Sequence, residues 1–218
     1  MPDDQETDIH FEGATAPLRG RVHEPAHAPT RAAFVIGHGR HEDMDGPLLV
    51  ALARRAAELG LWTLRFNFAF SDAGTEPSAG HADEIADLRE AIGFARRTSG
   101  TDVVYVAGRG LGAWASVAAA TDEITAGAIL LGLSYVGQAE RKMALERLGE
   151  FEIPTLILVG FESERADLPA LEHLVASLPH INLEVLAGAD HRLQDASGLP
   201  MVETVMMKCE AWLRIRLR

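Results

Sequence analysis

Three glycines alternate with larger residues in the segment Gly108-Arg-Gly-Leu-Gly112. A strand-to-helix turn of the form G-x-S-x-G presents a serine nucleophile for acyl transfer. Here Gly110 stands at the central position, and glycine has no side chain that could attack a carbonyl. The segment therefore predicts the backbone of a nucleophile site without its nucleophile. By itself, it is equally typical of an ordinary tight turn.

A histidine and a group of acidic residues follow two later predicted strands. His191 closes the segment Gly188-Ala-Asp-His191, where a histidine could act as general base, although a solvated loop histidine fits as well. Glu162 and Ser163 follow another strand, where an acid that orients the base would be expected, and Ser163 occupies its middle position. A glutamate could serve if it reaches the histidine, but an exposed surface charge is the alternative.

The loop 37–45 follows the first predicted core strand, where a backbone N–H could stabilise an oxyanion. It also carries His38 and His41 among several carboxylates. These histidines are three apart, without the H-E-x-x-H spacing or a matching distal ligand. We therefore expect a solvated, flexible loop, no metal and no cofactor.

Four further side chains could act as nucleophiles, namely Ser71, Ser78, Ser134 and Cys209. Ser134 is the best placed because it follows a predicted strand at the same rim, yet none has a glycine on both sides. We expect a structural role for Ser134 and a buried core thiol for Cys209.

Apolar runs and helical periodicities alternate along the chain, which predicts a doubly wound, mostly parallel α/β sheet. Ligands bind such sheets beyond the carboxyl ends of the strands. Residues 1–7 are predicted as a flexible tail, and residues 8–218 as a single domain that begins with an antiparallel pair within 8–22. The predicted strands are 32–37, 62–68, 103–107, 127–133, 154–160 and 182–186, and the predicted helices are 47–59, 82–97, 111–120, 140–148, 168–178 and 200–217.

The composition excludes several classes of protein. With 218 residues and 47% hydrophobic residues, the chain can form one well-packed domain. A net charge of −12 argues against nucleic acid or an anionic membrane surface as a partner. A single cysteine, an acidic amino terminus and the lack of a long apolar run favour a cytoplasmic protein.

Together, these segments resemble the small lidless α/β-hydrolases of the dienelactone-hydrolase-like and esterase-like kind, from about Ala32 to the final helix. The resemblance rests on His38-Gly39 with Met44-Asp45, and on 64–68, Gly108-Arg109, 130–132, 154–160 and 188–191. It implies the α/β-hydrolase fold without a cap domain. It also implies His191 as base, with oxyanion donors at the N–H groups of Leu111 and of Gly39 or Arg40. Gly110 then matches the nucleophile position and Ser163 the acid position, both without the expected residue type.

Two of the three triad positions thus lack their usual chemistry. This favours a pseudoenzyme that keeps a small-molecule pocket. One alternative is an active hydrolase with non-covalent chemistry based on His191. Another is an interaction or scaffold protein without enzymatic activity. The sequence specifies neither the substrate nor the oligomeric state.

Overall fold

An eight-stranded sheet, in the order β1-β2-β4-β3-β5-β6-β7-β8, forms the centre of the computed structural model. The structure describes residues 6–25, 29–122, 125–133, 136 and 152–217. Strand β2 runs antiparallel to its neighbours β1 and β4, and all other neighbouring strands are parallel. The strands are β1 Glu6–Glu12, β2 Pro17–His23, β3 Ala33–Gly37, β4 Trp62–Phe66, β5 Val104–Arg109, β6 Gly127–Leu131, β7 Thr155–Gly160 and β8 Ile181–Leu186.

Helices cover both faces of the sheet. They are α1 Pro47–Glu58, α2 Ala69–Ala73, α3 Ala82–Ser99, α4 Leu111–Asp122, α5 Leu168–Val175 and α6 Val202–Arg216, with a short 3-10 turn at Ala79–His81. Helices α1 and α6 pack on one face, while α3, α4 and α5 pack on the other. The central strands are apolar runs buried on both sides, as expected for a parallel sheet between two helical layers. None of the helices in the described ranges is long and apolar enough to cross a membrane.

The register of the central strands aligns their carboxyl ends. Gly37 of β3 lies beside Gly108 of β5, and Arg109 lies beside Leu131 of β6. The loops that follow these strands therefore leave the sheet at one edge. This confirms the predicted sheet architecture and brings the candidate chemistry to that edge.

Two sequence predictions differ from the structure, and two others cannot be compared with it. Strand β1 begins at Glu6, inside the segment predicted as a tail, because Glu6 pairs with His23 and its carboxylate contacts Arg65. Helix α2 lies between the predicted strand 62–68 and the predicted helix 82–97, where the sequence pattern predicts no helix or strand. The predicted helix 140–148 and the side chain of Ser134 lie outside the described residues.

Candidate active-site cleft

Gly110 lies between the end of β5 and the start of α4, at the bend where the sequence places a nucleophile. Its φ of +53° is in the left-handed region, which strains any residue with a side chain. The Gly110 N–H donates to the carbonyl oxygen of Leu131 at 2.9 Å, and its own carbonyl accepts from Trp114 at 3.3 Å. Backbone hydrogen bonds thus fix the bend without a side chain at its tip.

Gly108 and Gly112 are required because the start of helix α4 packs directly against the backbone at the ends of β3 and β5. A Cβ on Gly108 would overlap the backbone of Gly112, and a Cβ on Gly112 would overlap the carbonyl group of Gly37. A Cβ on Gly110, by contrast, would have Cα of Gly39 at 4.0 Å as its nearest neighbour. Space for a side chain therefore remains at the nucleophile position but not on either side of it.

A cleft of about 300 Å³ opens in front of Gly110. It brings together five of the residues that the sequence selected. It does not include Glu162 or Ser163 among its lining residues. The five residues are Gly39, Arg40, Gly110, Leu111 and His191.

Two glycines allow the loop carrying His191 to approach the strand ends. A Cβ on Gly132, just after β6, would lie 2.6 Å from the carbonyl oxygen of His191. A Cβ on Gly160, at the end of β7, would overlap the carbonyl oxygens of Ala189 and Asp190. The missing side chains at these two positions let His191 reach the cleft, where its side chain is 28% exposed.

The carboxylate beside His191 belongs to Asp190, which the sequence analysis did not select. Its Oδ2 is 3.9 Å from Nδ1 of His191, which is too long for a hydrogen bond. Oδ1 instead accepts the N–H groups of Arg192 and Gln194, at 2.7 and 2.9 Å. The aspartate therefore shapes the loop, and its position in the chain directly before His191 was the available signal.

The surroundings of His191 favour the neutral form of its imidazole. Burial lowers the pKa of His191, and the positive charge of Arg165 lowers it further. A neutral imidazole can accept a proton near pH 7.

The two residues proposed for the acid position lie beside the loop of His191. The exposed Glu162 donates its backbone N–H to the carbonyl oxygen of Ala189 at 2.9 Å. Ser163 is buried, and its Oγ accepts the N–H of Arg165 at 3.3 Å. These contacts involve the backbone of the neighbouring loops, and the role of either residue in orienting His191 stays a prediction.

One of the expected oxyanion donors, the N–H of Gly39, already donates to a carboxylate of the protein itself. The Gly39 N–H donates to Oε1 of Glu42 at 3.0 Å. The same oxygen lies 2.6 Å from Nη1 of Arg109, and both side chains are largely buried. Sequence reasoning missed this arrangement, although Glu42 is three residues after Gly39 and Arg109 lies within the nucleophile turn.

His38 is buried and bonded to the backbone, which corrects the expectation of a solvated loop at this residue. Its ring is fully buried, and Nε2 accepts the backbone N–H of Phe68 at 3.0 Å. Nδ1 must then carry the proton, and it donates to the carbonyl oxygen of Gly39 at 2.7 Å. Burial lowers the pKa of His38, so the neutral ring holds the Gly39 peptide in place. Within the described ranges, no three His, Cys, Asp or Glu side chains group as metal ligands.

A buried arginine anchors the other end of the same loop. Nη1 of Arg65 donates to the carbonyl oxygen of Met44 at 2.7 Å and to Oδ1 of Asp45 at 2.9 Å. The N–H of Met44 in turn donates to Oδ1 of Asn67 at 2.8 Å. Polar groups from β4 and the residues after it therefore fix the loop that positions Gly39 and Glu42.

Comparison with known proteins places this arrangement among the α/β hydrolases. The family model described as an α/β hydrolase domain matches residues 30–211. A search of curated proteins finds no significant match.

Several solved structures are similar in fold along nearly their whole length. A serine hydrolase without a lid from Xanthomonas campestris has 20% identity and a TM-score of 0.79, over 99% of this chain and 96% of the other. A dienelactone hydrolase from Anabaena variabilis has 20% identity and a TM-score of 0.74, over 98% and 99%. An esterase from Pyrococcus furiosus has 12% identity and a TM-score of 0.76, over 98% and 93%.

Proposed function

The chain belongs to the α/β hydrolase domain family, and from that premise we propose that it is a catalytically degenerate member that binds a small molecule. The observation that carries this proposal is Gly110 at the tip of the bend between β5 and α4. Glycine has no side chain, so this position presents no hydroxyl or thiol group that could attack a substrate. A covalent acyl-enzyme formed at this position is therefore ruled out by residue type.

The surroundings of Gly110 support the same conclusion. The Gly39 N–H, which would stabilise a developing oxyanion, already donates to Glu42. The carboxylate of Asp190 is 3.9 Å from Nδ1 of His191, so this aspartate does not form the tight hydrogen bond that orients a catalytic base. The loss of a triad residue alone costs a factor of about 10⁴ to 10⁶ in rate.

Steady-state kinetics with short-chain p-nitrophenyl esters, lactones and thioesters test the proposal. The wild-type protein is expected to match His191→Ala for every substrate, at the rate of the reaction without protein. His173→Ala, a change in helix α5 away from the cleft, serves as the matched control. Turnover that His191→Ala abolishes and His173→Ala keeps would contradict catalytic degeneracy.

A second candidate function is hydrolysis by water that His191 deprotonates directly. The space in front of Gly110 and the lowered pKa of His191 favour it. This reaction forms no acyl-enzyme, so it predicts His191-dependent turnover without a burst and without a trapped covalent ester on the protein. Mass spectrometry of the protein during turnover separates it from a covalent route through another side chain.

A further inference from the structure

The first residue of the edge strand β1 contacts the buried arginine that anchors one end of the cleft loop. Oε1 of Glu6 lies 3.2 Å from Nη2 of Arg65. Through Nη1, Arg65 donates to the carbonyl oxygen of Met44 at 2.7 Å and to Oδ1 of Asp45 at 2.9 Å. One guanidinium group therefore joins the outermost strand of the sheet to the loop 37–45, which lines the cleft.

Arg65 depends on these partners because water cannot solvate its charge. Its side chain is 1% exposed, and a buried charge needs ionic or hydrogen-bonding partners to offset its desolvation. Among the described residues, Glu6 and Asp45 are the two carboxylates within 4 Å of the guanidinium group. Asp45 contacts Nη1, whereas Glu6 contacts Nη2, which also lies 3.3 Å from Nε2 of His23. Glu6 therefore supplies the carboxylate on one whole side of the buried guanidinium group.

Two further arginines face Glu6 but depend on it less. Arg21 lies 3.6 Å from the Glu6 carboxylate and has a closer partner in Asp8, at 2.7 Å. Arg54 lies 3.7 Å away, and its side chain is 52% exposed, so water can solvate its charge. Loss of the Glu6 charge would therefore affect the buried Arg65 most.

The end of β1 that carries Glu6 has little apolar anchoring. Strand β1 forms the edge of the sheet and pairs with β2 alone. Its buried residue, Phe11, lies near the opposite end, where the ring stacks on Phe94 with 4.8 Å between the ring centroids. Peripheral segments with few buried contacts open locally at a small cost in free energy. Opening of this end would break the contact between Glu6 and Arg65 while the rest of the sheet stays folded.

We propose that Glu6 is a positioning residue through which strand β1 controls the cleft loop. While the start of β1 is docked, Glu6 holds Arg65, and Arg65 holds the end of the loop 37–45. When the start of β1 undocks, that end of the loop is released. The beginning of the loop stays fixed by the bond between His38 and the N–H of Phe68. The coupling does not depend on the reaction or the ligand of the cleft, so its test is separate from that of catalytic degeneracy.

Amide hydrogen exchange measured by NMR tests this coupling, with the N–H of Met44 as the reporter. In the anchored loop this N–H donates to Oδ1 of Asn67 at 2.8 Å. Glu6→Gln is expected to speed its exchange at least about tenfold through local opening. The amide of Phe68 at the fixed end of the loop, and that of Val106 in the central strand β5, should keep their rates within about twofold.

Glu12→Gln is the matched control, because it removes the same charge from the other end of the same strand. It should change the exchange rate of the Met44 amide less than about twofold, as expected for an exposed charge. Equal acceleration by Glu6→Gln and Glu12→Gln would show an effect of net charge and overturn the role of Glu6.

Arg65→Lys tests whether Glu6 acts through Arg65. Lysine keeps the positive charge but lacks the planar fork that contacts both sides at once. Arg65→Lys alone should speed the exchange of the Met44 amide, and adding Glu6→Gln should then change the rate by less than about a further twofold. Multiplying effects in the double variant would show that Glu6 acts by another route.

Two results with Glu6→Gln alone would overturn the coupling, whether or not the lysine variant folds. An unchanged rate at Met44 would show that the loop does not depend on β1. Equal acceleration at Met44 and Val106 would show a loss of global stability in place of local release. Hydrolysis that depends on His191 would contradict degeneracy and leave the exchange result standing.

Discussion

Nη1 of Arg109 lies 2.6 Å from Oε1 of Glu42, and this ion pair joins the nucleophile turn to the loop after β3. Nη2 of the same guanidinium donates to the carbonyl oxygen of Arg192 at 3.3 Å. Arg109 therefore connects three of the segments that line the cleft. The Glu42 carboxylate of this pair also accepts the Gly39 N–H. The ion pair therefore links the turn that lacks a nucleophile to the oxyanion donor that is blocked.

Restoring the serine alone should not restore hydrolysis. We expect Gly110→Ser to raise p-nitrophenyl acetate hydrolysis less than about tenfold, because Glu42 still holds the Gly39 N–H. Adding Glu42→Ala frees that donor, which should raise the rate by a further factor of about 10². Initial rates measured with both variants and with wild-type protein check this.

His191→Ala in the double variant is the control, and it should return the rate to that of the wild-type protein. Full activity in Gly110→Ser alone would contradict the block by Glu42. No activity in the double variant would locate the remaining defect at the weakly oriented His191.

The three glycines of the turn should differ in their tolerance of alanine. Gly112→Ala should lower the free energy of unfolding by about 3 kcal/mol, because its Cβ meets the backbone of Gly37. Gly110→Ala should cost about 1–2 kcal/mol, since only its positive φ opposes the change. Urea denaturation measures both values.

Gly93→Ala is the matched control within helix α3. There a Cβ meets the flexible end of Arg97, so alanine should stabilise by up to about 1 kcal/mol. A loss at Gly110 as large as at Gly112 would contradict the space inferred at the nucleophile position.

Stability should fall as the pH drops below about 6.5, in part through His38. The pKa of His38 is lowered in the folded protein by burial, while in the unfolded chain it is near 6.5. Below that pH the unfolded state binds the proton and the folded state does not, so acid favours unfolding. Between pH 7 and pH 5.5 this residue should account for a loss of up to about 1 kcal/mol.

Urea denaturation at several pH values, compared between wild-type protein and His38→Asn, isolates this contribution. The asparagine amide can replace Nδ1–H as the donor to the carbonyl oxygen of Gly39, but it does not reach the N–H of Phe68 and does not titrate. The variant should therefore be less stable at pH 7 and less sensitive to acid. An unchanged pH dependence would show that His38 does not determine it.

Arg65 should be important for stability despite its charge. Arg65→Met is expected to lower the free energy of unfolding by about 3 kcal/mol, because Glu6 and Asp45 then lose a buried partner. Arg19→Met breaks the exposed pair with Asp72 and should cost less than about 1 kcal/mol. Urea denaturation of both variants checks this difference, and equal losses would contradict the anchoring role of Arg65.

Regular elements with strong apolar patterns were predicted well from the sequence. The strand expected at 32–37 is β3 Ala33–Gly37, and the helix expected at 47–59 is α1 Pro47–Glu58. In such segments the buried positions follow the hydrophobic pattern of a helix or a strand, so the local sequence is enough to predict the element. The loop 37–45 was harder, because its charged residues have no periodicity that distinguishes a buried His38 from a solvated one.

The sequence by itself determined that the chain is an alternating α/β protein and that its central turn bears glycine where a nucleophile would stand. Both properties depend on residue types and on neighbours within a few positions. Only the tertiary structure decided that Glu42 occupies the Gly39 N–H, that Asp190 is the acid beside His191 and that arginines from three loops surround one cleft. Such contacts depend on how distant loops meet at the edge of the sheet, and no local pattern encodes that geometry.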